Sequence, residues 1–227
     1  MRFSYIFNQD EFKMLLALAG YKKLYGYSLE NKIISADCAG YAFNNLYKEK
    51  IIIKNLNGFK IEPEVHSALK TIGEFEHYMI INSNDIFLNT LSCYIRNGRI
   101  VVCSGVTVSQ NKVKISSFSV TQFIDFLLEN SYIPKSESQI EIENVELENF
   151  EKQIDISNRN CINNKKILLN ILLCNNNSTV SEIFLINYYL YDYFLIKSND
   201  SFKRKSYTQD NFRLFLDEIV FGSKKWF

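Results

Sequence analysis

The two histidines, His66 and His77, and the five cysteines, Cys38, Cys93, Cys103, Cys161 and Cys174, are the side chains of this chain with the widest chemical repertoire. A zinc site needs its ligands in local pairs. Neither histidine has a Cys, an Asp or a second His at such spacing, and Glu76 points away from its neighbour His77 in any regular element. The cysteines are odd in number and contain no C-x-x-C pair, so they read as core thiols of a reducing compartment. None stands in a local signature that would pair it with a histidine base. The eight glycines never fall into G-x-G-x-x-G or G-x-x-x-x-G-K, and the backbone cradle that nucleotide phosphates require is missing. Glu137, Glu141, Glu143, Glu146, Glu148 and Glu151 gather carboxylates in one run, but in a polar loop such a run is more readily a solvated face than a cation site. The expectation is a protein that is not an enzyme, with no catalytic residue, no metal and no cofactor.

Bulk properties narrow the class further. The chain has 227 residues, 47% of them hydrophobic and 22% charged, which is enough apolar material for a sizeable core. A formal net charge of +1 gives no overall field to draw in nucleic acid or an anionic membrane, although a local basic patch stays open. Met1 to Phe12 shows neither an apolar h-region nor a small-residue cleavage site, so no export leader is expected. The longest apolar stretch, Ile183 to Ile196, is interrupted by Asn187 and Asp192 and falls short of the roughly 20 residues that cross a bilayer. The expectation is a cytoplasmic protein without membrane insertion.

The elements that must position any site begin with a helix from Asn8 to Gly20, capped by Asn8 with Glu11 reaching back and burying Phe12, Leu15, Leu16 and Ala19. A second helix runs from a Ser35 cap to about Glu49, burying Ala39, Ala42, Phe43 and Leu46. Ile51 to Lys54 and Phe59 to Ile61 pair through an Asn57-Gly58 turn, and Pro63 opens a third helix carrying Val65, Leu69 and Ile72. Helix, hairpin, helix is winged-helix order. Beyond Glu74 the pattern turns to strands: Tyr78–Ile81, Ile86–Ile95, Arg99–Val108 and Val113–Phe118, with a second hairpin turn at Asn97-Gly98. Ser119 and Gln122 then cap a helix with Phe123, Phe126 and Leu127 buried, and Pro134 closes the segment.

An internal echo organises the rest. Ser117, Phe118, Ser119, Phe123, Phe126, Leu127 and Glu129 match Ser206, Tyr207, Thr208, Phe212, Phe215, Leu216 and Glu218 at one constant offset without gaps. The same offset lays Val101–Val108 on Leu190–Lys197. Two strand-then-helix segments share such spacing by chance as well, and that plainer reading stands beside the duplication. The expected fold is α+β: a winged-helix-like unit over 1–74, a first sheet and helix half over 75–134, a polar loop or arm over 135–164, and a second half over 165–227. The two halves would join edges in one antiparallel sheet about a pseudo-twofold axis, with their helices packed on it.

Tyr188, Tyr189, Tyr191, Tyr193 and Phe194 read as one strand on which Tyr189, Tyr191 and Tyr193 share a face. That face is either covered by the chain's own helices or a partner platform, since Tyr gives large contact area at low entropic cost. The docking surface is expected at Tyr189, Tyr191 and Tyr193 with Asn97 and Gly98. Lys48, Lys50, Lys54 and Lys60 would let the winged unit meet phosphates. Its second helix, however, offers no arginine and begins with Asp37 and Cys38, so nucleic acid is not the expected partner.

Glu11-Phe12 with Leu15, Leu16 and Leu18 before Gly20-Tyr21, then Ala42 with Leu46 before Ile51-Ile52, and Gly58 to Val65 followed by Leu69, resemble the EspG family of type VII secretion chaperones, in particular relatives from low-GC Gram-positive bacteria. The likeness covers nearly the whole chain in layout and rests on hydrophobic spacing. This chain is shorter than the mycobacterial members and richer in Asn, Ile and Lys. The resemblance implies a non-enzymatic cytosolic adaptor that grips the tip of a secreted helical-hairpin substrate, keeps it soluble and releases it at the secretion machine. A homodimer of the unbound chain is compatible with it. The competing readings are a winged-helix transcription regulator with a C-terminal sensor domain and an immunity protein that neutralises a toxin.

Overall fold

The computed structural model describes residues 3–21, 34–56, 58–106, 109–135, 165–175, 178–188, 191–198 and 201–222. Phe3, Tyr5 and Phe7 alternate with Ser4 and Ile6, and this period of two builds a first strand that the helix-centred reading overlooks, β1 (Phe3–Asn8). Asn8 ends the strand and starts α1 (Gln9–Leu18). Its side chain accepts the Glu11 N–H at 2.8 Å while the Glu11 carboxylate accepts the Asn8 N–H at 2.9 Å, the capping box expected there. Helix α2 (Ala36–Lys48) starts at Ser35, whose hydroxyl accepts the Cys38 N–H. The hairpin of β2 (Ile52–Asn55) and β3 (Gly58–Ile61) pairs Asn55 with Gly58, so Gly58 belongs to β3 and not to the turn where the sequence reading puts it. Gly58 takes a φ of +127°, which a side chain would resist, and serves as the first residue of β3. Helix α3 (Pro63–Gly73) opens on Pro63, with Glu62 accepting the Val65 N–H at 2.8 Å.

The remaining strands form two meanders, each closed by a helix. The first holds β4 (His77–Ser83), β5 (Leu91–Arg96), β6 (Arg99–Val106) and β7 (Ser109–Phe118) before α4 (Val120–Glu129). The second holds β8 (Lys165–Asn175), β9 (Ser178–Tyr188), β10 (Tyr191–Ser198) and β11 (Ser201–Ser206) before a fifth helix, α5 (Gln209–Phe221). All join one antiparallel nine-stranded sheet in the order β1-β7-β6-β5-β4-β8-β9-β10-β11. The meanders meet where β4 pairs β8, from Tyr78 opposite Cys174 to Ser83 opposite Leu169. The protein is therefore α+β with a large antiparallel sheet.

Both faces of the sheet are used. On one, Phe123, Phe126 and Leu127 of α4 and Phe212, Phe215 and Leu216 of α5 pack with Met79, Ile81, Cys93, Leu169, Ile183 and Phe194. On the other, Phe12, Leu15, Leu46, Val65, Leu69 and Ile72 pack with Tyr78, Tyr94, Val101, Val113 and Ile115. Each such aliphatic or aromatic side chain is worth on the order of 2 kcal/mol of transfer free energy. The segment 1–74 thus shares its core with the first meander, and β1 joins the same sheet by pairing Phe3 with Ser117.

Two strand expectations need correction. Ile86 to Thr90 form a turn region, and β5 starts only at Leu91. The tyrosine-rich run is two strands, because β9 ends at Tyr188 and β10 begins at Tyr191, directly opposite it. No glycine or proline marks that reversal in the sequence. Residues 136–164 of the expected polar loop or arm lie outside the described residues, as does Tyr189; Cys161 falls in that stretch. Among the described residues no helix is long and apolar enough to cross a membrane.

Candidate functional site

The β4–β5 connection is tied down at nearly every residue. Ser83 Oγ accepts the Asp85 N–H at 3.0 Å, Asp85 Oδ1 accepts the Phe87 N–H at 2.9 Å, and the Asp85 carbonyl accepts the Leu88 N–H at 3.1 Å. Short Ser and Asp side chains capture backbone N–H groups in this way and hold a turn without glycine. The Thr90 hydroxyl donates to Asn82 Oδ1 at 3.0 Å, and the Asn84 N–H donates to the Leu168 carbonyl across the β4–β8 junction at 3.2 Å. From the other side, the Tyr132 hydroxyl donates to the Asn89 carbonyl at 2.6 Å. Burial, foremost, pushes the Tyr132 phenol up to about 12, so it stays protonated and keeps donating.

The loop turns Leu88 toward the core and leaves Ile86 88% and Phe87 77% exposed. Beside it lies an open cleft of about 300 Å³ lined by Ser83, Asp85, Leu128, Tyr132, Lys135 and Leu168. Loop and cleft sit at the middle of the sheet, where the two meanders meet. The bonded backbone holds Ile86 and Phe87 in solvent, where they offer apolar surface with polar groups of the cleft at its rim.

Among the described residues no group of three or more His, Cys, Asp or Glu could hold a metal ion. His66 and His77 are exposed, on α3 and at the start of β4. Burial pushes the Cys93 and Cys103 thiols well above their ordinary range, which keeps them protonated and unreactive, whereas Cys38 is exposed. The buried carboxylate of Asp192 accepts from the Asn187 amide at 2.8 Å, and burial raises its pKa.

The tyrosines and the Asn97-Gly98 turn do not form one surface. Asn97 and Gly98 make the expected two-residue turn, with φ of 48° and 74°. That turn lies at the end of the sheet where β4 begins, since His77 pairs with Ile95. Tyr188 and Tyr191 lie where β8 begins, since Tyr188 pairs with Lys165. Because β4 and β8 run antiparallel, equivalent turns of the two meanders fall at opposite ends, separated by the length of β9, roughly 30 Å. Tyr193 is only 2% exposed, and the Arg204 guanidinium covers its ring at 4.8 Å, so it presents no free face to a partner. Tyr191 sits on the backbone of β10, and Tyr189 lies outside the described residues.

Ile86 and Phe87 are the residues that the sequence reading misses, because their β-branched and aromatic character counts them into a strand. The signal that finds them is the Asn82-Ser83-Asn84-Asp85 cluster directly before them, which is turn chemistry. No protein-family model matches the chain. No curated protein matches it either.

Proposed function

We propose that the protein is a cytoplasmic adaptor that binds a secreted helical-hairpin substrate at the Ile86–Phe87 loop and keeps it soluble until export, as the EspG resemblance implies. In this reading the two meanders are twin halves about a pseudo-twofold axis between β4 and β8, carrying a winged-helix-like lobe at the N-terminus. The equivalent caps support the twin halves: Ser119 accepts the Gln122 N–H at the start of α4, and Thr208 accepts the Asn211 N–H at the start of α5. So do the equivalent buried rings Phe123 and Phe212.

The observation that carries the functional reading is the pinned loop with two large apolar side chains in solvent beside a cleft. Exposed apolar groups on a rigid support cost little ordering entropy when a partner covers them. A helical hairpin with an apolar tip has the complementary need, since it aggregates when left bare. Co-expression with helical-hairpin export substrates tests this: the substrate should stay in the soluble fraction with the wild-type chain and precipitate with Ile86→Ser/Phe87→Ser. Equal solubility with both would reject the site. Specific retardation of duplex DNA by the purified chain, without capture of any hairpin, would favour the regulator reading instead.

A further inference from the structure

We propose that the edge formed by the C-terminal half of α2 and the β2–β3 hairpin seats the protein on an anionic lipid surface. At the hairpin turn Leu56 is wholly exposed, and Phe59 and Tyr47 stand about half in solvent beside it. Phe43, Tyr47 and Phe59 form one cluster, with ring centroids 5.0 Å apart for Phe43–Phe59 and 5.9 Å for Tyr47–Phe59, both edge to face. Lys54 and Lys60 lie on the hairpin and Lys48 and Lys50 at the end of α2, all exposed, against Glu49 in the same stretch and Glu62 at the base of the hairpin. None of the four sits in an ion pair among the described residues. Lys54 lies opposite Phe59 on one face of the hairpin, and Lys60 lies opposite Ile53 on the other.

An aliphatic tip flanked on both faces by lysines matches the depth profile of a bilayer surface. The apolar groups reach below the headgroups, while each lysine lays its methylenes along them and keeps its ammonium among the phosphates. The attraction is local, because the whole chain carries a net charge of only +1. Nucleic acid fits the same patch less well. The rings already pack edge to face on one another, which takes up surfaces that bases would stack on, and Leu56 gains nothing from a phosphate backbone. Nor do residues 41–60 contain an arginine to fork onto a base. This inference stands apart from the Ile86–Phe87 site.

The test is co-sedimentation of the full chain with phosphatidylcholine vesicles, with and without about 30% phosphatidylglycerol. Binding is expected only to the anionic vesicles and should weaken as salt rises. Lys54→Gln with Lys60→Gln should lower partitioning about 25-fold, at roughly fivefold per lysine. Leu56→Ser should lower it about tenfold. Both variants should keep the wild-type unfolding midpoint, because these side chains are exposed. Equal partitioning onto neutral vesicles, an unchanged Leu56→Ser variant, or tighter binding to a duplex or single-stranded oligonucleotide at the same salt would each overturn the assignment.

Discussion

The hydroxyl of Tyr132 reaches across to the carbonyl of Asn89 at 2.6 Å, joining the turn after α4 to the loop that holds Ile86 and Phe87 in solvent. Tyr132→Phe removes that bond and leaves the ring packed. The expected cost is about 1 kcal/mol in urea unfolding, with faster amide exchange at Phe87 and Leu88 than in the neighbouring strands. Unchanged exchange at those two amides would mean that the local Ser83 and Asp85 bonds suffice to hold the loop.

Buried protonated groups set an alkaline limit on stability. Tyr78 and Tyr132 are pushed from the ordinary 10.0 up to about 12, and burial raises the thiols of Cys93 and Cys103 above their ordinary 9.0. Between the unfolded and folded values the unfolded chain releases protons that the folded chain retains. It therefore binds fewer protons, and stability falls as pH rises. The contribution is fully present below about pH 9, shrinks first through the thiols and then through the phenols, and continues to shrink to about pH 12. Urea midpoints should be level from about pH 7 to 8 and drop steadily above about pH 9. A level midpoint to about pH 11 would contradict the burial of these groups.

Gly98 links the two meanders through α5. Its φ of +74° is the left-handed conformation, and a Cβ built there would meet the Phe221 ring at 2.9 Å. Gly98→Ala should destabilise by roughly 1–2 kcal/mol through backbone strain, with a further penalty from the ring. Phe221→Ala in the same chain should recover the second part only. Additive effects of the two substitutions in a double-mutant cycle would show that the ring and the turn do not meet.

The fully buried rings Phe123 of α4 and Phe212 of α5 should each cost about 3–5 kcal/mol when cut back to Ala. Equal penalties, read from urea unfolding, are expected if the two helices close equivalent halves. A Phe212→Ala variant within about 1 kcal/mol of wild type would put α5 outside the cooperative core.

What the sequence made legible was local. Asn8 with Glu11, and Ser119 with Gln122, are reciprocal caps three residues apart, and the structure forms both. Asn97-Gly98 makes its turn because both residues tolerate positive φ, whereas Gly58 leaves the expected turn because pairing places it inside β3. What failed depends on distant partners. β1 exists because Phe3 finds Ser117 across more than a hundred residues of chain, and nothing near Phe3 announces that pairing. Tyr193 looked available because its strand was read alone; its burial and the guanidinium of Arg204 over its ring arise only once β10 has paired with β11. The candidate site was hidden differently: Ile86 and Phe87 fit a strand by residue type, and the hydrogen bonds of Ser83 and Asp85 fold the chain into a turn there.

The central claim is that the exposed pair Ile86 and Phe87 grips a helical-hairpin partner. Isothermal titration of the purified full chain with such a substrate, against the Ile86→Ser/Phe87→Ser variant, measures it most directly. The account predicts that the double variant loses at least about tenfold in affinity while keeping its unfolding midpoint, because two large apolar side chains leave the interface and none leaves the core. An affinity unchanged by the double substitution in a folded protein would contradict it.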